Sequence, residues 1–289
     1  MMRAIILFFL FFQGLSEVFP QQSIGFPLLL GRAQLYDRSF DLIEIKKNDA
    51  VRVKYFLSPT SNEPSVYNDF LKWSKNRKLL FMCNASYVNE MMDPVGLAIQ
   101  NGVCINRQVL SNLSAVAISD LNGAFSISNL NNVLLPTSGT TVHQPFNLLD
   151  TYSKVKFINE LTRLNCTAFQ THLLLQDNSI VIGNDSGGDL DNMKRERRIL
   201  ALCEMIDGST SHFFINVDLP YTLFDVTSEF KSVLLSKVGV AKINYMINLD
   251  TGFRDFIRVY EENGSFKHEI SGRKDISGAL NLLVYYMDN

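Results

Sequence analysis

Three Asn-Gly pairs between short apolar segments constrain the fold of this chain more than any other feature. They are Asn101-Gly102, Asn122-Gly123 and Asn263-Gly264. Asparagine and glycine most readily adopt the positive φ angles of a tight two-residue turn, so each pair predicts an antiparallel hairpin. We therefore expect neighbouring strands to run antiparallel over much of the chain.

Three helices are predicted among these strands. The first begins near Pro64, the second spans residues 149–164, and the third spans residues 223–237 after the capping residue Thr222. The apolar stripe of the second helix is formed by Tyr152, Val155, Ile158 and Leu161. A few helices among many hairpins differ from the regular alternation of a doubly wound fold. The sequence predicts a single α+β domain built on a mixed, largely antiparallel β-sheet with a few packed helices.

Individual strands can also be assigned from the apolar segments. Residues 41–45 and 51–57 are predicted to pair with each other around Lys47-Asn48-Asp49. Residues 168–175 predict one continuous strand, and residues 240–249 predict a long central strand.

The N-terminus is typical of an export signal. Arg3 supplies a short positive region, residues 4–12 form an apolar core, and Gly14-Leu15-Ser16 offers small residues for cleavage. The apolar core is shorter than the roughly 20 residues that a membrane-spanning helix needs. We therefore expect a signal peptide over residues 1–16, one domain over residues 17–289, and a secreted or periplasmic protein. An uncleaved N-terminal anchor helix is the alternative.

Charge and cysteine content narrow the function classes. The formal net charge is −2, which argues against nucleic-acid binding because that requires a basic face. The four cysteines could form two disulfides in an oxidising compartment or could be buried free thiols. They form no C-x-x-C pair, the four histidines show no ligand spacing, and residues 185–191 do not match a calcium-binding loop. No metal and no cofactor are predicted.

Asp250 is the residue that physical reasoning singles out. It follows the predicted strand 240–249 and precedes Thr251 and Gly252, so a rigid element aims its carboxylate and a flexible backbone admits a ligand. This placement suits a general acid or base, or a ligand for a sugar hydroxyl. The alternative is an aspartate that begins a turn and bonds its own backbone.

Two other polar residues stand beside predicted buried strands. Asn84 ends one such strand, where its amide could both donate to and accept from a substrate. Arg198 directly precedes the apolar run 199–203, and its guanidinium fork matches phosphate oxygens. The basic residues just before Arg198 are interpreted as a solvated loop.

Two segments give the chain a resemblance to the phosphodiester glycosidase family. In the first, an apolar strand delivers Asn84, and Pro94-Val95-Gly96-Leu97 then leads into a hairpin. The second is Asn248-Leu249-Asp250-Thr251-Gly252, where the family carries Leu-Asp-Gly-Gly or a near variant. The resemblance covers residues 50–260 and implies hydrolysis of a glycosidic bond to a phosphodiester or a related glycoconjugate. It also implies a carbohydrate or sugar-phosphate ligand.

The resemblance implies a role for each matching residue. Asp250 would act as acid or base, and Arg198 would neutralise the charge of the phosphate. The residues implied in substrate binding are Asn84, Gln170, Thr251 and Gly252.

Several glycines of the family pattern are replaced in this chain. Ala85-Ser86 follows Asn84 where the family has a glycine, His172-Leu173 stands in place of Gly-Pro, and Thr251 replaces the first glycine after the aspartate. Side chains at such positions narrow a cleft or change its hydrogen bonding. The alternative function is therefore that of a secreted, non-catalytic glycan-binding protein on the same fold.

Overall fold

The computed structural model of the chain describes residues 26–35, 38–58, 66–136, 144–182, 193–252, 255–271 and 276–288. The predicted signal peptide over residues 1–16 and the loop over residues 185–191 lie outside the described residues. None of the helices in the described parts of the chain is long and apolar enough to cross a membrane.

The described residues contain three α-helices and 17 strands. The helices are α1 (Val66–Ser74), α2 (Thr151–Arg163) and α3 (Leu223–Lys237). The strands before α2 are β1 (Leu28–Leu35), β2 (Arg38–Lys47), β3 (Arg52–Leu57), β4 (Arg77–Cys83), β5 (Ala98–Gln100), β6 (Val103–Asn106), β7 (Ala115–Ser119) and β8 (Phe125–Asn129). Those after it are β9 (Thr167–Thr171), β10 (Leu173–Gln176), β11 (Ser179–Ile180), β12 (Arg195–Met205), β13 (Thr210–Tyr221), β14 (Val240–Leu249), β15 (Phe256–Tyr260), β16 (Phe266–Ser271) and β17 (Asn281–Asp288).

The strands form three sheets. The first has the order β1-β2-β13-β12-β14-β10-β11, the second β16-β15-β4-β17-β3, and the third β6-β5-β9-β7-β8. Every described strand pair in them is antiparallel. The predicted α+β class and antiparallel character are confirmed, and the strands divide among three sheets.

The Asn-Gly pairs form the predicted hairpins, but both residues have a positive φ at Asn101-Gly102, whereas at the other two pairs only the glycine does. Asn101 and Gly102 have φ angles of 45° and 77° and join β5 to β6. Gly123 joins β7 to β8 with a φ of 80°, and Gly264 joins β15 to β16 with a φ of 82°. Local turn chemistry therefore determines these three pairings.

Two strand predictions were wrong. The segments around Lys47-Asn48-Asp49 do not pair, because β2 pairs with β1 and β13 while β3 pairs with β17. The side chain of Asn48 accepts hydrogen bonds from the N–H groups of Ala50 and Val51, and the chain turns there into another sheet. The segment 168–175 is also interrupted, since His172 separates β9 in the third sheet from β10 in the first. All residues from 167 to 175 are buried, so no periodicity marks the break.

Each helix covers the outer face of one sheet, and the inner faces share a core. The central core joins Phe214 of the first sheet, Phe81 of the second and Phe169 of the third. Helix α3 packs on the first sheet, α2 on the third and α1 on the second. The buried face of α2 is rotated from the predicted stripe, because Tyr152 and Val155 are exposed.

The cysteines are free thiols in the structure. Cys83, Cys166 and Cys203 are buried within apolar clusters, and Cys104 is half-buried. Of the two alternatives, the structure therefore contains the free thiols.

Candidate functional site

A cleft of about 820 Å³ opens where strand ends from all three sheets meet. Asn84 follows β4, Asp250 follows β14, and Asn281 begins β17. The remaining lining comes mainly from residues 87–95, 110–113, 194–197 and 218–220, together with His172, Asn248, Thr251 and Gly252. Function often collects at such strand ends, because a rigid scaffold positions the side chains there.

Asp250 lies at the floor of this cleft. Its N–H donates to the carbonyl of Ala85 at 3.0 Å, which fixes the end of β14 against the segment after β4. Its Oδ1 accepts the N–H of Gly252 at 2.9 Å, so the aspartate also makes the turn bond considered from the sequence. Burial raises the pKa of Asp250 to about 6, although the Gly252 N–H and the charge of Arg198 oppose that shift. A carboxylate with this pKa exchanges protons readily near neutral pH.

Asn84 lies beside Asp250 because the neighbouring backbone is anchored from β17. The Oδ1 of Asn281 accepts the N–H groups of Ala85 at 2.8 Å and Ser86 at 3.1 Å, and its Nδ2 donates to Ser86 O at 3.0 Å. Asn84 itself accepts the N–H of Phe256 at 2.9 Å. Sequence reasoning missed Asn281, whose only signal is that it is a single amide within an apolar segment.

Thr251 and Gly252 complete the floor. The hydroxyl of Thr251 donates to the carbonyl of Glu196 at 2.9 Å, which ties β14 to β12 at the cleft. A Cβ on Gly252 would lie 3.1 Å from Oδ1 of Asp250, a tight contact that glycine avoids. The structure thus brings Asn84, Asp250, Thr251 and Gly252 to one cleft.

Arg198 does not belong to the lining of the cleft. It is 0% exposed, and its guanidinium forms a 2.6 Å ion pair with Asp255. It also donates to Asn216 Oδ1 at 3.0 Å and to Phe256 O at 3.3 Å. Arg198 therefore influences Asp250 through its charge, whereas the neighbouring Arg197 lines the cleft.

Gln170 supports the wall of the cleft from behind. Its Oε1 accepts the N–H groups of Leu97 at 3.0 Å and Leu110 at 3.1 Å, and its Nε2 donates to the carbonyls of Leu110 and Leu113. An amide side chain has two donor and two acceptor positions, and here all four are used. A Cβ on Gly96 would lie 2.6 Å from Oε1 of Gln170, so the Pro-x-Gly-Leu segment and Gln170 form one tightly packed contact.

Asn248 is a second polar residue that sequence reasoning did not single out, although the motif contained it. It is 2% exposed and lines the cleft, and its Nδ2 donates to the hydroxyl of Tyr87. Its Oδ1 accepts no hydrogen bond from any residue in the described parts of the chain. Tyr87 in turn packs edge-on against His172, with 5.5 Å between ring centroids. An unpaired buried acceptor is costly and is a natural partner for a donor group of a ligand.

The described residues form no group of metal ligands at the cleft. Among the described residues, no three His, Cys, Asp or Glu side chains lie close enough together to hold a metal ion.

No protein-family model matches the sequence, and neither does any curated protein. Among solved structures, the fold is similar to that of the zebrafish N-acetylglucosamine-1-phosphodiester α-N-acetylglucosaminidase catalytic domain auto-inhibited by its pro-peptide. That similarity has a TM-score of 0.51 and 14% identity, and it covers 95% of this chain and 85% of the other. A hypothetical protein from Synechocystis is similar with a TM-score of 0.48 and 10% identity, over 90% of this chain and 62% of the other. At these identities the similarity to the zebrafish domain shows a shared fold.

Proposed function

We propose that this protein is a secreted glycoside hydrolase that acts on a sugar phosphodiester or a related glycoconjugate. The main support is that Asn84, Asp250, Thr251 and Gly252, selected from two distant motifs, line one cleft. A fold similar to that of a phosphodiester glycosidase adds to this support. In this proposal residues 1–16 are removed as a signal peptide, and the domain over residues 17–289 works outside the cytoplasm.

Asp250 acts as the general base. A phosphate group leaves with little help from a proton donor, so the main remaining need is to activate water. The carboxylate takes a proton from water, and the water oxygen attacks the anomeric carbon. The carbon–oxygen bond to phosphate breaks, and its electron pair leaves with the phosphate monoester. The products are the free sugar and that monoester.

Different residues of the cleft bind the sugar and the phosphate. In this proposal the side chains of Asn84 and Asn248, which line the cleft, orient sugar hydroxyls or an amide. Lys194 and Arg195 are exposed on the lining, and their charge favours the phosphate. Arg198 contributes to phosphate binding only through its field, because its guanidinium is committed to protein groups.

The test is turnover of sugar-1-phosphodiesters by the purified chain that begins at residue 17. Asp250→Asn should lower kcat/KM by about 100-fold or more, since a positioned base contributes about 10²–10⁴-fold. Glu90→Gln is the matched control, because Glu90 is an exposed carboxylate on the edge of the same cleft. Equal turnover by Asp250→Asn and the wild type would remove Asp250 from the mechanism.

Glycan binding without catalysis is the second candidate. It is favoured by His172, which lies in the cleft against Tyr87 where the family pattern has glycine. Saturable glycan binding with no release of sugar from any phosphodiester would support this function. Gain of turnover in His172→Gly would show that this side chain is what blocks catalysis.

A further inference from the structure

We propose that the substrate is amphiphilic, and that the group esterified to its phosphate is an aliphatic chain held by an apolar wall of the cleft. This wall consists of Val88, Met92, Val95 and Leu110, which line the cleft and are all partly exposed. The inference rests on the proposed function, since it identifies the group that leaves with the phosphate.

The outer part of the apolar wall is a preformed turn. Val88 and Pro94 form an antiparallel bridge, and Asn89 closes the turn between them. The N–H of Asn89 donates to Asp93 O, its carbonyl accepts the N–H of Met92, and its Oδ1 accepts the N–H of Asp93, all at 2.9 Å. Met92 is held at a φ of 70°, a region that costs a residue other than glycine about 1 kcal/mol or more. The turn therefore fixes an unfavourable conformation that places Met92 on the cleft.

The inner part of the apolar wall, Val95 and Leu110, is also held by hydrogen bonds to its backbone. The N–H of Val95 donates to Tyr87 O at 2.9 Å. Leu110 is held at both its N–H and its carbonyl by the side chain of Gln170. The wall is thus supported by hydrogen bonds to its backbone, and its side chains remain partly exposed to a ligand.

The chemistry of the apolar wall favours an aliphatic chain over a second sugar. None of its four side chains can form a hydrogen bond of normal strength with a hydroxyl, and each hydroxyl buried without a partner costs about 1–3 kcal/mol. The polar residues on this side, Asn89, Glu90 and Asn112, are exposed at its edge. The cleft volume of about 820 Å³ lies in the upper part of the roughly 300–1,000 Å³ range of small-molecule pockets. The cleft therefore has room for a sugar and an aliphatic chain at the same time.

The basic residues on one part of the lining agree with such a ligand, although this part also carries the carboxylates of Glu196 and Asp218. Lys194 and Arg195 line the cleft beside the polar floor and supply the positive charge for a phosphate. A phosphodiester joins the sugar to the chain, so a sugar on the floor brings the chain within reach of the apolar wall. The sugar, the phosphate and the aliphatic chain then each contact residues of matching chemistry.

The experiment compares methyl, butyl and octyl esters of α-N-acetylglucosamine 1-phosphate as substrates of the wild-type domain, each below its micelle concentration. Each methylene that is seated contributes about 0.8 kcal/mol, or about fourfold. We expect kcat/KM to rise at least tenfold from the methyl to the octyl ester. The double variant Val88→Thr, Val95→Thr keeps the shape of the wall and adds two hydroxyls, and it should reduce this ratio about fivefold or more.

Met91→Gln is the matched control, because Met91 is 72% exposed and does not line the cleft, and it should leave the ratio unchanged. Equal kcat/KM for the three esters would overturn the inference and leave the proposed function standing. If no ester is turned over, calorimetric binding of octyl and methyl glucoside decides instead. Tighter octyl binding that the double variant loses would support the apolar wall while the proposed function fails, and equal or absent binding would overturn the wall.

Discussion

Replacing Gln170 by methionine separates a structural role for this residue from a role in substrate binding. Methionine has a similar length, but it removes the amide that bonds four backbone groups. These groups are the N–H of Leu97, the N–H and carbonyl of Leu110, and the carbonyl of Leu113. Because the side chain of Gln170 is 0% exposed, the expected loss is of folding stability.

The magnitude follows from which of these groups water can reach. The contacts with Leu97 and Leu113 are buried, whereas the two with Leu110 are partly buried. Each buried group left without a partner costs about 1–3 kcal/mol, so the two buried groups alone cost about 2–6 kcal/mol. A domain is stable by only about 5–15 kcal/mol, so this is a large share of the total.

The assay is equilibrium unfolding in urea, compared with activity at a temperature where every variant is folded. Gln170→Met should unfold at a clearly lower urea concentration than the wild type. Gln108→Met is the matched control, since Gln108 is exposed, and it should change stability by no more than about 0.5 kcal/mol. Gln170→Met with wild-type stability and weaker substrate affinity would refute the structural role and return Gln170 to the binding site.

Three further outcomes follow from titration and backbone geometry. Asp250 works as a base only when its carboxylate is ionised. Because its pKa is about 6, kcat/KM should fall about tenfold per pH unit below pH 6. A fall above pH 6 would instead indicate that Asp250 acts as an acid. Burial lowers the pKa of His212 to about 3, so the unfolded chain binds a proton that the folded protein does not. The contribution of His212 to the free energy of unfolding should therefore drop by about 1.4 kcal/mol per pH unit from about pH 6.5 towards pH 3. In urea titrations at pH 7 and 5, His212→Gln should not show this part of the pH dependence. Gly96→Ala should lower stability by about 1–3 kcal/mol in thermal unfolding, because it combines a φ of 77° with a 2.6 Å approach to Gln170. Gly208→Ala, with a similar φ and open space around it, should cost clearly less, and equal losses would contradict the contact.

The antiparallel fold was predictable because its strongest signals are local. A pair such as Asn101-Gly102 encodes its own turn, and the two strands beside it then pair by default. The division into three sheets is not local. Strands β2 and β3 are adjacent in sequence, yet each pairs with strands far along the chain because burial in a shared core decides their partners.

The placement of the arginines shows how a site prediction can miss by one residue. Successive side chains of a strand point to opposite faces, so a shift of one position moves a side chain to the other face of the sheet. Both arginines are buried in β12, but Arg198 pairs with Asp255 away from the cleft, whereas Arg197, which is 6% exposed, lines it. The motif identified the strand, but the run of five charged residues ahead of Ile199 gives no alternation from which to read the face.

The residues that hold the cleft in place carry a sequence signal that could have identified them. Gln170 and Asn281 are the single amides of the largely buried strands β9 and β17, and a buried amide must find partners or destabilise the fold. Both bond backbone segments that are distant in sequence, and those segments are the two that form the floor and the wall of the cleft. A single amide in a buried strand therefore indicates where a loop docks on the sheet. It does not indicate which loop, because any exposed N–H and carbonyl can satisfy it, and only the fold brings residues 84–86 and 97–113 to these amides.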